Sequence, residues 1–256
     1  RASLLFNQRE AEDVDLETVF TIGTNGLLEL CSKEPRLEVY SSTLFSAAYK
    51  SLDRDHETKE VNDKLNAELR SFFRMLSPFM REQAALKVME YLIRRFRVHV
   101  HNVGDMVACV LPFHDTEVFG MVVKLLELGG REDLFSFLSN VKATGAPLNR
   151  DVIVAQCLKD PAFLRFICGV SKSASIHGHA SGPMLSFYTV VVVSVVSTAP
   201  DVTDELLRLL MPYIMFGIKA KDSPDLQAAS FAIVSRMTTR VVLVHSLLSD
   251  VVKAIA

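Results

Sequence analysis

Apolar residues recur at the spacing of an α-helix along almost the whole of this 256-residue chain. One helix face collects five of them: Leu65, Leu69, Phe72, Phe73 and Leu76. They fall at i, i+4, i+7, i+8 and i+11, which places them on a single stripe. Pro78 ends this stripe, and a second stripe begins a few residues later. Two amphipathic helices joined by a short connection form an antiparallel hairpin, so the pattern predicts an all-α chain of packed helices.

Breaks that contain proline divide the chain at fairly regular intervals of 34 to 43 residues. They lie at Pro35, Pro78, Pro112, Pro147, Pro183 and Pro224. HEAT and armadillo repeats stack helix pairs with a period of about 40–47 residues. We therefore predict a HEAT/armadillo-like solenoid of stacked helix pairs with about a dozen helices, in preference to a closed helical bundle.

Local signals place individual helices along the chain. Asp160 followed by Pro161 combines a capping acid with proline at the first helical position, which is a good start signal. We also expect helices at about 37–51, 131–142 and 240–255. The segment from 189 to 198 is rich in β-branched residues, which favour strands. We still predict a helix there, because helices flank it and packing overrides weak propensity.

The domain organisation follows from the same pattern. We expect a single HEAT-like module over residues 1–256. We also expect it to be a fragment of a longer chain, because the sequence does not begin with Met and ends within an apolar helix. A Ser-, Gly- and His-rich segment near 171–182 is predicted to be a flexible loop that separates residues 13–170 from residues 183–256.

Composition limits the kinds of partner. Lys and Arg number 28 and Asp and Glu number 30, a net charge of −2, so any contact with nucleic acid is confined to a local patch. Cys31, Cys109, Cys157 and Cys168 lie far apart and are expected to be buried reduced thiols. The most apolar region, 184–199, is shorter than the roughly 20 residues that span a bilayer, so we expect no membrane partner.

The sequence contains none of the short motifs that carry chemistry. A phosphate-binding loop, a dinucleotide-binding glycine pattern, a serine nucleophile elbow and a zinc-protease helix are all missing. We therefore expect no enzyme activity, no cofactor, no metal site and no small-molecule substrate. An unrecognised helical enzyme stays as a distant alternative.

Basic residues gather where the helix predicted at 85–98 ends. The candidate partner- or RNA-binding residues are Arg94, Arg95, Arg97, His99, Asn102 and His114. Guanidinium groups at one helix end can grip phosphates or an acidic protein surface. The competing interpretation is that cations at a helix carboxyl end offset the helix dipole.

The helix phasing makes further predictions. Phe73 and Phe96 lie on the apolar stripes of adjacent helices, so both should be buried. One or two of the three arginines should face solvent. Replacing Arg94 and Arg95 together by Glu is expected to leave the fold nearly as stable while weakening capture of a partner.

Several segments resemble one known family, and they occur in order over nearly the whole chain. The most specific is Leu-Ile-Arg-Arg-Phe at residues 92–96. Others are the residues at 1–6, 57–60, 111–115, 158–163 and 225–229. They resemble the N-terminal part of the U3 small nucleolar RNA-associated protein 10 family, also called HEAT repeat-containing protein 1.

The resemblance implies a non-catalytic scaffold subunit of the small-subunit processome, which supports pre-18S rRNA processing. It also implies a location in the nucleus, within the nucleolus. The implied partners are other t-UTP (UtpA) subunits, with pre-rRNA or the U3 ribonucleoprotein as a further candidate. An alternative is a HEAT-type scaffold of another nuclear assembly, in transport or chromosome organisation. Most Phe residues occupy core stripes, and this favours protein over RNA as the partner.

Overall fold

The structure is a computed structural model that describes residue 5, residues 15–130 and 133–241, and residues 249, 252 and 253. Within those residues the regular structure is entirely helical and contains no strand, and between residues 15 and 241 it comprises twelve α-helices and short 3-10 segments. The predicted all-α, HEAT-like class is confirmed. The helix predicted at 240–255 lies largely outside the described residues.

Two compact units divide the chain between Pro147 and Leu148. The described part of the first unit contains seven α-helices, and the stretches between them include short 3-10 segments. The α-helices are α1 (Leu16–Cys31), α2 (Lys59–Leu76), α3 (Gln83–Phe96), α4 (Val98–His101), α5 (Val103–Val110), α6 (Glu117–Leu125) and α7 (Ser139–Thr144). The 3-10 segments are Pro35–Ser42, Ala47–Ser51, Ser77–Phe79, Leu111–Phe113 and Ser136–Leu138.

Side-chain caps account for several helix starts. The carboxylate of Asp15 accepts a hydrogen bond from the Thr18 amide at 2.8 Å at the start of α1. The Thr58 hydroxyl caps α2 in the same way. Each cap satisfies one of the amide groups that a helix start leaves without a partner.

Two sequence predictions were wrong in the first unit. A helix expected over 37–51 is replaced by the two 3-10 segments, and serine hydroxyls in the first of them donate to carbonyls three residues earlier, a local bond that competes with a regular helix. The Ser41 hydroxyl, for example, donates to the Glu38 carbonyl at 2.6 Å. The helix expected over 131–142 is shorter and later, with a 3-10 turn at 136–138 followed by α7.

The core of the first unit lies between α1 and α3, with α2 packed against α5. Gly23 permits the close approach of α1 to α3, since a Cβ atom there would lie 2.5 Å from Cβ of Tyr91. The Tyr91 ring stacks on Phe45 at 4.7 Å between centroids. The predicted burial of Phe73 and Phe96 is confirmed, with 1% and 0% of each residue exposed.

Up to residue 241, the described part of the second unit contains five helices that form two layers. They are α8 (Arg150–Lys159), α9 (Pro161–Ile176), α10 (Gly182–Thr198), α11 (Asp204–Ile218) and α12 (Pro224–Thr238). Helix α10 packs against α8 and α12, while α9 packs against α11. Because first and second neighbours along the chain pack together in this way, the unit has the arrangement of stacked helix pairs.

Two features of the second unit bear on the predictions. The β-branched segment from 189 to 198 is part of α10, as predicted, and its valines at 191, 192, 195 and 196 are buried. The predicted loop at 171–182 is much shorter than expected, because α9 continues to Ile176 and α10 begins at Gly182. Ser171 and Ala174 hold this part of α9 in the core, so its Ser-rich composition misled the prediction.

Candidate functional site

The carboxyl end of α3 turns sharply into α4 through one residue. Arg97 has φ 47° and ψ 41°, a left-handed conformation. Its amide donates to the Ile93 carbonyl at 3.0 Å and closes the last turn of α3. Glycine usually occupies this position, because a Cβ atom makes the left-handed conformation unfavourable. The turn carries the basic residues of α3 and α4 into one region of the first unit.

Arg94 and Arg95 are held by the chain itself. The Nε atom of Arg94 lies 3.2 Å from Oε1 of Glu90, a carboxylate that is buried one turn earlier on α3. Arg95 donates from Nε to the Tyr49 carbonyl at 2.5 Å and from Nη2 to the Leu52 carbonyl. Arg95 therefore ties the 3-10 segment at 47–51 to the end of α3.

This arrangement overturns one expectation. Arg95 is half-buried, and a glutamate there would face two carbonyl oxygens with no hydrogen to donate. Replacing Arg94 and Arg95 together by Glu should therefore destabilise the fold, so this double variant does not isolate a binding role. Arg97 is the arginine that faces solvent, with 49% of its side chain exposed.

Arg97 forms an ion pair with Asp55, whose carboxylate is also about half exposed. The Nε2 atom of His101 lies 3.8 Å from the other oxygen of the same carboxylate. Ion pairs at this level of exposure contribute about 0–1 kcal/mol to stability. The positive charge of Arg97 is thus offset by Asp55 without being locked in place.

A buried arginine beneath this surface was missed by the sequence reasoning. Arg54 is 6% exposed, and its Nη1 atom donates to the Phe96 carbonyl at 2.9 Å and to Oδ1 of Asn102 at 2.8 Å. Its other donors reach the amide oxygens of Asn62 and Asn66. No carboxylate of the described residues forms a salt bridge with Arg54, so neutral oxygens surround a buried cation. Burial lowers the pKa of this guanidinium.

Asn102 and His99 occupy the inner side of the site. Asn102 is 4% exposed, so its side chain serves the Arg54 network and lies away from the surface that a partner could touch. His99 is half-buried, and its Nδ1 atom has no hydrogen-bond partner among the described residues. Burial lowers the pKa of the His99 imidazole, with Glu127 acting in the opposite direction. The His99 carbonyl accepts from the Glu127 amide at 2.9 Å.

His114 lies away from this helix end in the chain, directly after the 3-10 segment at 111–113. The structure therefore places Arg94, Arg95, Arg97, His99 and Asn102 at the end of α3 and along the short α4 that follows it, whereas His114 lies between α5 and α6. In the part of the chain that the structure describes, no group of three or more His, Cys, Asp or Glu residues could hold a metal ion. Nor does any described helix have the length and apolarity to cross a membrane.

The site as a whole is a junction in which the side chains of Arg54 and Arg95 hold the end of α3 against the segment at 49–54. Arg54 and Arg95 bind carbonyl oxygens of α3 and of the segment around 49–52, and Arg97 faces outward with Asp55. The accessible positive charge is concentrated on Arg97. A binding role for the six candidate residues stays a prediction.

The fold defines a helical-repeat protein built from stacked helix pairs, and comparison with known proteins gives the family. HEAT repeat-containing protein 1 of Homo sapiens is 36% identical over 265 residues, which cover 99% of this chain. U3 small nucleolar RNA-associated protein 10 of Candida glabrata is 30% identical over 91% of the chain. The protein of that name from Schizosaccharomyces pombe is 29% identical over 99%. No family model matches the chain.

The chain is thus homologous, along nearly its whole length, to HEAT repeat-containing protein 1 and U3 small nucleolar RNA-associated protein 10, and the suspected resemblance to this family is confirmed. It spans only 12 to 15% of the length of these three relatives. The matched region therefore corresponds to one part of a much longer protein in each of them.

Proposed function

We propose that this chain is a non-catalytic scaffold segment of a protein that acts in ribosome biogenesis. One observation carries the proposal: relatives named for their association with U3 small nucleolar RNA align with 91% and 99% of the chain. The proposed setting is the small-subunit processome, in the nucleolus, where the protein supports processing of pre-18S rRNA.

The proposed partners are other t-UTP (UtpA) subunits, with pre-rRNA or the U3 ribonucleoprotein as a further candidate. The stacked helices support this proposal, because helical repeats expose long helix faces that suit the binding of macromolecules. The junction at the end of α3 supports it as well. Its buried polar groups bind carbonyl and amide oxygens of the chain itself, which suits a rigid platform.

The experiment uses the full-length protein with an affinity tag, expressed in place of the untagged protein. We expect U3 small nucleolar RNA to co-purify, the tagged protein to localise to the nucleolus, and depletion to reduce mature 18S rRNA while 25S or 28S rRNA is spared. If U3 RNA is not enriched over an unrelated small nuclear RNA and 18S rRNA is unchanged, the proposal is wrong.

Within the candidate residues, we propose Arg97 as the one that contacts a partner. Arg97→Gly removes the charge and also suits the left-handed backbone, so the fold should be as stable as before or up to about 1 kcal/mol more stable. We expect this variant to weaken co-purification of partners while its melting temperature does not fall.

Lys159→Glu, an exposed charge change at the end of α8, is the matched control. RNA binding through Arg97 would weaken steeply with added salt, whereas protein docking would depend on salt more gently. If Arg97→Gly captures protein and RNA as well as the unchanged protein does, Arg97 serves only to end α3 and does not contact a partner.

A further inference from the structure

The outer surface of α10 and α12 is unusual because it carries almost no charge. Helix α10 contains no Asp, Glu, Lys, Arg or His in its 17 residues, and α12 contains only Asp225 and Arg236. The solvent side of a surface helix ordinarily carries charged residues. Two neighbouring helices that pack together both depart from this pattern.

The exposed residues along the middle of the two helices define what we name the α10–α12 face: Ser186, Val190, Ala228, Phe231, Ala232 and Ser235. Asp225 is exposed as well, in the first turn of α12 and outside this face. Val190 is 40% exposed and Phe231 is 37% exposed, so an aliphatic and an aromatic side chain reach solvent from adjacent helices. Single exposed apolar residues are common, whereas exposed apolar residues that neighbour one another on two packed helices, with no charge between them, are a feature of interaction sites.

Two guanidinium groups lie at the carboxyl end of this face. Arg236 donates from Nε to the Ser197 hydroxyl at 2.7 Å, and Arg240 donates from Nη2 to the Ala199 carbonyl at 2.6 Å. Neither forms a salt bridge with a carboxylate of the described residues. Both arginines therefore keep an uncompensated positive charge at one end of an uncharged surface.

We infer that the α10–α12 face binds a helix of another protein, one that presents apolar residues along the face and carboxylates toward Arg236 and Arg240. This inference rests on the proposed scaffold function and names the partner chemistry for one of its surfaces. Adjacent helices leave a groove between their outer side chains, and an amphipathic helix lays its apolar side into such a groove. Arginine and aromatic residues are the groups that most often dominate binding energy at interfaces.

Charge complementarity decides between a helix and a nucleic acid as the occupant. A single-stranded RNA needs a row of cations along its backbone and aromatic rings on which successive bases stack. The α10–α12 face offers one exposed aromatic residue, Phe231, and no cation along its length. An apolar helix with carboxylates at one end matches both the uncharged surface and the two arginines.

The test places a photo-cross-linker in the full-length protein in cells by Phe231→benzoylphenylalanine. We expect cross-links to another protein, at a segment with apolar residues at helical spacing and Asp or Glu near one end. Cross-links to RNA, to a second copy of this protein or within the same chain would overturn the inference. So would the loss of all cross-links at position 231 while U3 RNA still co-purifies.

Two sets of variants make the result specific. Arg236→Gln with Arg240→Gln removes both charges and keeps polar side chains, and we expect it to reduce the cross-link at least tenfold. Ala155→Asp, at an exposed position of α8 in the same layer, is the matched control and should leave the cross-link unchanged. A cross-link that survives loss of both arginines would overturn the partner chemistry.

The same cells separate this inference from the proposed function. If U3 RNA co-purifies and the expected cross-link is missing, the inferred binding at the α10–α12 face is wrong and the proposed function stands. If the expected cross-link forms and U3 RNA does not co-purify, the α10–α12 face binds a helix as inferred and the protein acts in a different assembly.

Discussion

The sharpest prediction concerns Arg54, the buried cation that neutral oxygens surround. Arg54→Met keeps a long side chain of similar reach but removes every donor. The Phe96 carbonyl and Oδ1 of Asn102 then lose their donor, whereas Oδ1 of Asn66 keeps a hydrogen bond from the Asn102 amide at 3.0 Å. Oδ1 of Asn62 loses its donor too, but Asn62 is only partly buried, so the first two are the buried oxygens left without a donor. An orphaned buried oxygen costs about 1–3 kcal/mol. Two of them therefore cost about 2–6 kcal/mol before any compensation.

The variant also gains some stability, because the folded state no longer buries a charge. Replacing a buried cation by an apolar side chain recovers part of its desolvation penalty. We therefore expect Arg54→Met to lower the free energy of unfolding by about 2–4 kcal/mol. At a urea m-value of about 1–3 kcal/mol/M, the unfolding midpoint should fall by about 0.7 M or more.

The assay is urea unfolding of the 256-residue chain followed by circular dichroism, with hydrogen exchange to locate the effect in α3. Arg97→Met is the matched control, because it removes an exposed guanidinium from the same junction and should cost less than about 1 kcal/mol. A loss below 1 kcal/mol for Arg54→Met, or equal losses for both variants, would refute the reasoning from buried acceptors.

Three other predictions follow from burial. Phe73→Ala and Phe96→Ala should each lower the free energy of unfolding by about 3–5 kcal/mol in the same urea assay, and a loss under 1 kcal/mol would show that the site collapses around the cavity. Burial lowers the pKa of His99 and of His101, so as the pH falls both imidazoles are protonated in the unfolded chain at a higher pH than in the folded chain. The free energy of unfolding should therefore decrease as the pH drops through about 6.5. His99→Gln should make the urea midpoint depend less on pH between pH 5 and 8. Burial raises the pKa of every cysteine thiol, but only Cys31 is partly exposed, so a thiol reagent should label it first and reach the other three only on unfolding.

The sequence was sufficient for the features that depend on local spacing. The apolar stripe that ends at Leu76 and the start signal at Asp160 both predict helices that the structure contains, because periodicity and capping act within a few residues. The burial of Phe73 and Phe96 follows from the same periodicity. The β-branched segment in α10 became a helix because packing in the layer outweighed its strand propensity.

The candidate site shows where such reasoning stops. Arg54 looks like an ordinary charged residue in a polar stretch, and only its partners reveal that it is buried, since they lie 42 and 48 residues away in sequence. Asn102 appeared to be a surface residue for the same reason. Arg95 shares its stretch of sequence with Arg97, yet one binds carbonyls of the segment around 49–52 and the other faces solvent. Local patterns do not encode which distant backbone oxygen a side chain will meet.

The layered packing of α8 to α12 has a consequence for how this unit forms. Its main contacts join helices that are first or second neighbours along the chain. Contacts between residues close in sequence require little loop-closure entropy, and helical proteins of low contact order fold in microseconds to milliseconds. A chain leaves the ribosome at about 5–20 residues per second, far more slowly than this. Each helix of the unit can therefore settle onto its predecessors during translation, before the next pair has been synthesised.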